Sequence, residues 1–144
     1  MGFFDSFGDK LLNKAATGGA LDPRWSRDDR GRFHRLLNMD VEKVKIGSGG
    51  GVVVVWHQGV HPRWINVIPT GSLDKTVNDM VRSSEVKSYE VNGGVYITWS
   101  PIDAKFRYGV VHYLRSTMKP LIALSKGEEV EVAKARQVPV LYPT

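Results

Sequence analysis

Five residues, Gly47-Ser48-Gly49-Gly50-Gly51, followed at once by Val52-Val53-Val54-Val55-Trp56, constrain this chain more than any other stretch. Four β-branched valines and a tryptophan in a row suit a strand buried on both faces, and such a strand needs layers above and below it. The run is far short of the roughly 20 apolar residues that a membrane-spanning helix requires. The glycines before it read as a flexible joint between an N-terminal arm, residues 1–46, and a compact α+β domain, residues 47–144. A phosphate loop would need Gly-Lys-Ser/Thr and a following helix, and neither is there.

Beyond the joint, the apolar spacing predicts a strand over Trp64 to Ile68 and a helix capped by Ser72, with Leu73, Val77, Met80 and Val81 on one stripe. Asn92-Gly93-Gly94 predicts a hairpin between strands Val86–Val91 and Val95–Trp99, closed by a three-residue turn that keeps one face apolar. Ser100-Pro101-Ile102-Asp103 resembles a capping box at the head of a long helix, which Pro120 ends or kinks. Glu129 to Tyr142 alternates in part and is expected to form a final strand, with Pro139 placing it at an edge. From Trp64 onward this order is that of a ferredoxin-like, split βαβ antiparallel sheet with two helices. The segments Val41–Ile46 and Val52–Trp56 would be extra leading strands, and a helical arm would precede them.

The arm carries two patterns. Phe3, Phe4, Phe7 and Leu11 recur at helical spacing before a Gly18-Gly19 stop, giving an amphipathic face that needs a cover, and Trp25 is a further anchor. These five residues are the candidate partner-docking set. Between them and the joint, Arg24, Arg27, Arg30, Arg32 and Arg35 alternate with acids, and Asp28-Asp29-Arg30-Gly31 reads as a turn. Pro-Arg-Trp occurs at Pro23 and again at Pro62, a repeat that reads as coincidence. The sequence Met1-Gly2-Phe3-Phe4-Asp5-Ser6 matches a myristoylation pattern formally, but Phe3 suits it poorly, and Asp5 and Asp9 argue against a signal peptide.

Charge permits nucleic acid without demanding it. Lys and Arg outnumber Asp and Glu by 20 to 15, a net charge of +5. Nine basic and seven acidic side chains fall in residues 1–46, so acids dilute the arginines of the arm. With no cysteine, thiol nucleophiles, disulfides and Cys-based zinc sites are excluded. His57 and His61 flank a glycine and precede a proline, which spoils helical ligand spacing; with His112 they are the sole candidate catalytic cluster, and neither a metal nor another cofactor is expected. No Gly-x-Ser-x-Gly elbow accompanies the Ser, His and Asp residues.

Two functions follow as expectations. The first is a non-enzymatic structural or assembly protein, a subunit of a virus- or phage-type particle located in a virion or the cytoplasm, docked through its arm to other subunits as a homo-oligomer or multi-component assembly. The second is a single-stranded nucleic-acid-binding module that uses Arg24, Arg27, Arg30, Arg32 and Arg35 on phosphates and Tyr96 as a stacking platform.

Overall fold

The computed structural model describes residues 20–143. The fold is α+β: a four-stranded antiparallel sheet with four helices among the described residues. The strands are β1 (His34–Arg35), β2 (Gly51–His57), β3 (Arg63–Thr70) and β4 (Val95–Pro101), in the order β1-β4-β2-β3. The helices are α1 (Leu73–Arg82), α2 (Ser84–Lys87), α3 (Ala104–Met118) and α4 (Lys126–Lys134).

All seven residues of β2 are buried, as its apolar run requires. Val52, Val54 and Trp56 join Val110, Val111 and Leu114 of α3 in one core, which also takes in Val132 of α4. Val53 and Val55 join Leu73 and Val77 of α1 and Val86 of α2 in the other. The period-two alternation of a strand thus feeds two cores, one on each face of the sheet. β3 and β4 each run antiparallel to β2, hence parallel to each other, and α1 and α2 make the crossover between them. A bulge between Val55 and Trp56 shifts the register so that Trp56 pairs with Trp64.

Three expected strands are not formed, so the ferredoxin-like order is not confirmed. Residues 41–46 are turns and irregular backbone. Residues 86–91 belong to α2 and to the 3-10 turn Ser88–Asn92, not to a hairpin strand. Ser83 decides this locally, because its hydroxyl accepts the Val86 amide and starts a helix where alternation alone suggests a strand. Gly93 and Gly94 do take positive φ, 92° and 99°, but to end that helical turn, with the Gly94 amide bonded to the Glu90 carbonyl. Residues 126–134 form α4, after which the chain runs extended to a single parallel bridge between Val140 and Leu21.

The long helix also starts later than its capping box implies. Ser100 and Pro101 finish β4, and Asp103 is the N-cap, its carboxylate accepting the Lys105 amide at 2.9 Å. Lys119 at φ 51° closes the helix just before Pro120.

The glycine run is closely packed. The carbonyls of Gly47 and Gly49 accept the amides of Asp74 and Leu73 at the head of α1. A Cβ on Gly51 would overlap the Ser100 carbonyl oxygen, and one on Gly50 would strike the Arg107 guanidinium. Described residues before the glycines pack with those after them. Trp25 belongs to the α3 core, and Leu36 and Ile46 belong to the α1 core. Residues 23–26 strap onto β4: Ser100 Oγ donates to the Pro23 carbonyl at 2.6 Å, Thr98 Oγ to the Ser26 carbonyl at 2.7 Å, and the Ser26 amide to the Trp99 carbonyl at 3.0 Å. The buried hydroxyls of Thr98 and Ser100 thereby find the partners their burial demands.

That strap and β1 guard one edge of the sheet. At the other, the amides of Leu121 and Ile122 bond to the carbonyls of Trp64 and Ile65, and Arg115 Nε to that of Val67. Pro69 sits in β3, an outer strand, where a missing amide costs no ladder bond. No helix among the described residues is long and apolar enough to cross a membrane.

Candidate ligand-binding groove

Asp28 organises the arginine segment. Its Oδ1 accepts the amides of Arg30 and Arg32, both at 2.9 Å, and its own amide donates to the Arg32 carbonyl at 2.7 Å. These bonds, with Gly31 at φ 76°, make the turn that Asp28-Asp29-Arg30-Gly31 predicts. The Arg32 amide above all holds the Asp28 carboxyl below the usual carboxylate range.

From that turn an aromatic series crosses the sheet. The Arg27 guanidinium lies 3.9 Å from the centroid of Phe33 and donates to the Gly31 carbonyl at 3.1 Å. Phe33 meets Trp56 edge-on at 5.0 Å, and Trp56 stacks on Tyr96 at 6.1 Å. Strand β1 sets Arg35 opposite Tyr96 in register. Trp56 continues to Trp64, Trp64 to Tyr142, and Tyr142 to Tyr113, at 5.7, 6.0 and 6.5 Å.

Two cavities flank Arg27, which lines both. The larger, about 730 Å³, is lined by Arg27, Arg32, Phe33, Arg35, Gln58 and Tyr96 among others. The smaller, about 460 Å³, includes Asp22, Arg24, Trp25, Arg27, Tyr113 and Tyr142. Both fall within the roughly 300–1,000 Å³ of small-ligand sites. Of the five singled-out arginines, Arg27, Arg32 and Arg35 line the larger cavity with Tyr96, and Arg24 lines the smaller one. Arg30 is exposed and lines neither cavity.

The arginines are not equally available. Arg35 is bound by Glu90, and Arg32 approaches Asp28 at 3.7 Å. Among the described residues, the Arg24 and Arg30 guanidiniums pair with no carboxylate. Phe33, Gln58, Asp22, Tyr113 and Tyr142 were not legible as site residues. Tyr113 and Tyr142 come together only through tertiary contacts of α3 and the chain end, which leave no local pattern.

Of the expected partner-docking set, Phe3, Phe4, Phe7 and Leu11 lie outside the described residues. Trp25 is 7% exposed and donates its indole Nε1 to the Leu141 carbonyl at 2.8 Å. Both tryptophans of the repeated Pro-Arg-Trp pack on the α3 core. The three histidines stay apart. His57 stacks on Tyr89, on the α1 side of the sheet; His61 is exposed in the β2–β3 loop; His112 Nδ1 bonds to the Ala135 carbonyl at 2.7 Å on the α3 side. Among the described residues no three His, Asp or Glu side chains are grouped to hold a metal ion.

No family model matches this chain, and neither does any curated protein or solved structure.

Proposed function

We propose that this chain is a binding module for single-stranded nucleic acid, with the larger cavity as the groove that tracks the backbone. The observation that supports it is the convergence of Arg27, Arg32, Arg35 and Tyr96 on one cavity. Guanidiniums suit phosphates in a planar, multidentate way, and exposed aromatic faces accept bases of any sequence. A strand lying in the groove would exchange Arg32 and Arg35 from their internal carboxylates onto phosphates. Affinity would be moderate and strongly dependent on salt.

Titration of the full chain with a labelled oligonucleotide across 50–200 mM salt tests this. Three phosphate contacts give a slope of log K against log salt of roughly −2 for single strands. Replacing Arg32 and Arg35 together by Gln removes about two contacts and flattens that slope by roughly 1.4. Binding that ignores salt, or a double variant with an unchanged slope, counts against the reading.

A second reading, a structural subunit of a larger particle, is favoured by a separate surface. Val60 and Val91 are 94% and 89% exposed, and their loops abut, since a Cβ on Gly59 would lie 2.6 Å from the Asn92 carbonyl oxygen. Two bare valines at adjoining tips are suited to a protein contact. Sedimentation of the full chain over a hundredfold concentration range, beside a Val60→Ser, Val91→Ser variant and a chain lacking residues 2–19, tests it. One species of monomer mass at every concentration in all three proteins removes this second reading in its self-assembling form.

A further inference from the structure

Resting on the nucleic-acid reading, we propose that the smaller cavity is a base pocket of the same site, selecting a nucleobase that carries an exocyclic amino group. Its lining brings aromatic rings and charges together in a smaller space. Trp25 forms a buried part of the lining, Tyr113 and Tyr142 contribute two aromatic rings tilted 47° to each other, and Asp22 and Arg24 bring one charge of each sign. The groove too is lined by a carboxylate, Asp28, but that one faces Arg32 at 3.7 Å and holds two backbone amides, whereas Asp22 forms no ion pair among the described residues. A planar base gains from the rings and from an acceptor that meets its amino group.

The pair Asp22 and Arg24 is set by the backbone. Arg24 has φ 56°, a conformation that disfavours side chains other than Gly, Asn or Asp, and its amide donates to Asp22 Oδ1 at 2.8 Å. That bond fixes the carboxylate beside the cavity. An ionised carboxylate only accepts hydrogen bonds, so it favours the N4 amino group of cytosine and opposes the O4 carbonyl of thymine. The Arg24 guanidinium, without a carboxylate partner among the described residues, is the cation for the adjoining phosphate. Arg27 lines both cavities, so one strand would run from groove to pocket without a break.

Fluorescence anisotropy with labelled dC and dT octamers, two pyrimidine strands of equal charge, tests the pocket in the full chain. The wild-type protein is expected to hold the dC octamer at least about fivefold more tightly. Asp22→Asn keeps an acceptor for the Arg24 amide but can also present a donor to thymine, so the ratio should fall to one or invert. Arg24→Gln should weaken both octamers alike. If both octamers bind with salt-dependent affinity but equally, the pocket proposal falls while the groove stands; the pocket falls in the same way if Asn at position 22 tightens both by one factor. If neither octamer binds at 50 mM salt, both readings fall. The wild-type ratio decides the matter even where a variant folds poorly.

Discussion

Glu90 grips Arg35 with one carboxylate oxygen and starts β4 with the other. Its Oε1 accepts Arg35 Nε at 3.1 Å and an Arg35 terminal nitrogen at 2.6 Å, while Oε2 accepts the Val95 amide at 2.8 Å. A helical turn thus reaches across 55 residues of sequence to β1, and Arg35, which lines the larger cavity, already holds a carboxylate.

Glu90→Gln separates these two duties. The glutamine carbonyl can still accept the Val95 amide, so circular dichroism should be unchanged, but the charge that holds Arg35 is gone. Affinity for a single-stranded oligonucleotide at 50 mM salt should rise a few-fold, while the salt slope stays near that of the wild type, because Arg35 is already one of its three phosphate contacts. Unaltered affinity would show that Glu90 does not compete with phosphate for Arg35.

The glycines that open β2 differ sharply from Gly71 in what surrounds them. Gly51→Ala drives a methyl group into the Ser100 carbonyl of the neighbouring strand, where no flexible side chain can yield. Overpacking of this kind costs about 1–3 kcal/mol, and collision with a central strand's backbone belongs at the top of that range. A methyl group on Gly71 would meet no heavy atom within 4 Å, and the residue has no positive φ, so Gly71→Ala should be neutral or stabilise by up to about 1 kcal/mol through the unfolded chain. Urea unfolding of the two variants checks the contrast; equal effects would remove the packing account of the glycine run.

What the sequence revealed follows from where each signal resides. Val52–Trp56, Trp64–Ile68 and Val95–Trp99 were legible because strands buried by both cores announce themselves in composition, and α1 and α3 because their stripes repeat at helical spacing. Residues 86–91 misled because Tyr89 and Val91 alternate with polar Ser88 and Glu90 well enough for a strand, while the Ser83 cap that overrides them is a single hydroxyl. In residues 126–134 only Val132 is buried, so the helix has almost no apolar stripe to read, and the Ser125 cap is its clearest mark. The groove was half legible: clustered arginines and Tyr96 stand out, whereas Phe33, Gln58 and the Tyr113–Tyr142 pair arrive through pairing and packing.

Arg115 ties three parts of the fold together. From α3 it donates to the Val67 carbonyl at 2.9 Å, to Asn66 Oδ1 at 2.6 Å and to the Ile122 carbonyl at 3.0 Å. Burial lowers its pKa, and the fields of Glu129 and Glu128 act in the opposite sense. Arg115→Met keeps much of the apolar stem but strands acceptors at the edge of β3, a loss of about 1–3 kcal/mol. Arg115→Lys, with a single donor head, should recover only part of it. Thermal unfolding that leaves both variants at the wild-type midpoint would refute this bracing role.

Two histidines make stability depend on pH near neutrality. His34 stacks on Trp99 at 5.0 Å and His57 on Tyr89 at 6.0 Å, and each keeps one ring nitrogen buried without a hydrogen-bond partner. Burial lowers both pKa values from the usual 6.5; Arg63 adds to the effect on His57, and Asp28 opposes it on His34. The folded chain therefore binds fewer protons than the unfolded chain just below that value. The stabilising contribution is complete above pH 6.5 and is lost as pH falls through the lowered folded values. Asp28 and Asp74, held low chiefly by the Arg32 amide and the Ser72 hydroxyl, lose theirs as pH falls from the ordinary 3.8 of a free aspartate through their lowered folded values. Urea unfolding between pH 8 and pH 5 should show stability falling on acidification in the wild-type chain. His57→Phe, which preserves a ring against Tyr89 but cannot titrate, should flatten that fall, and a variant that tracks the wild-type curve throughout would exclude His57 as its source.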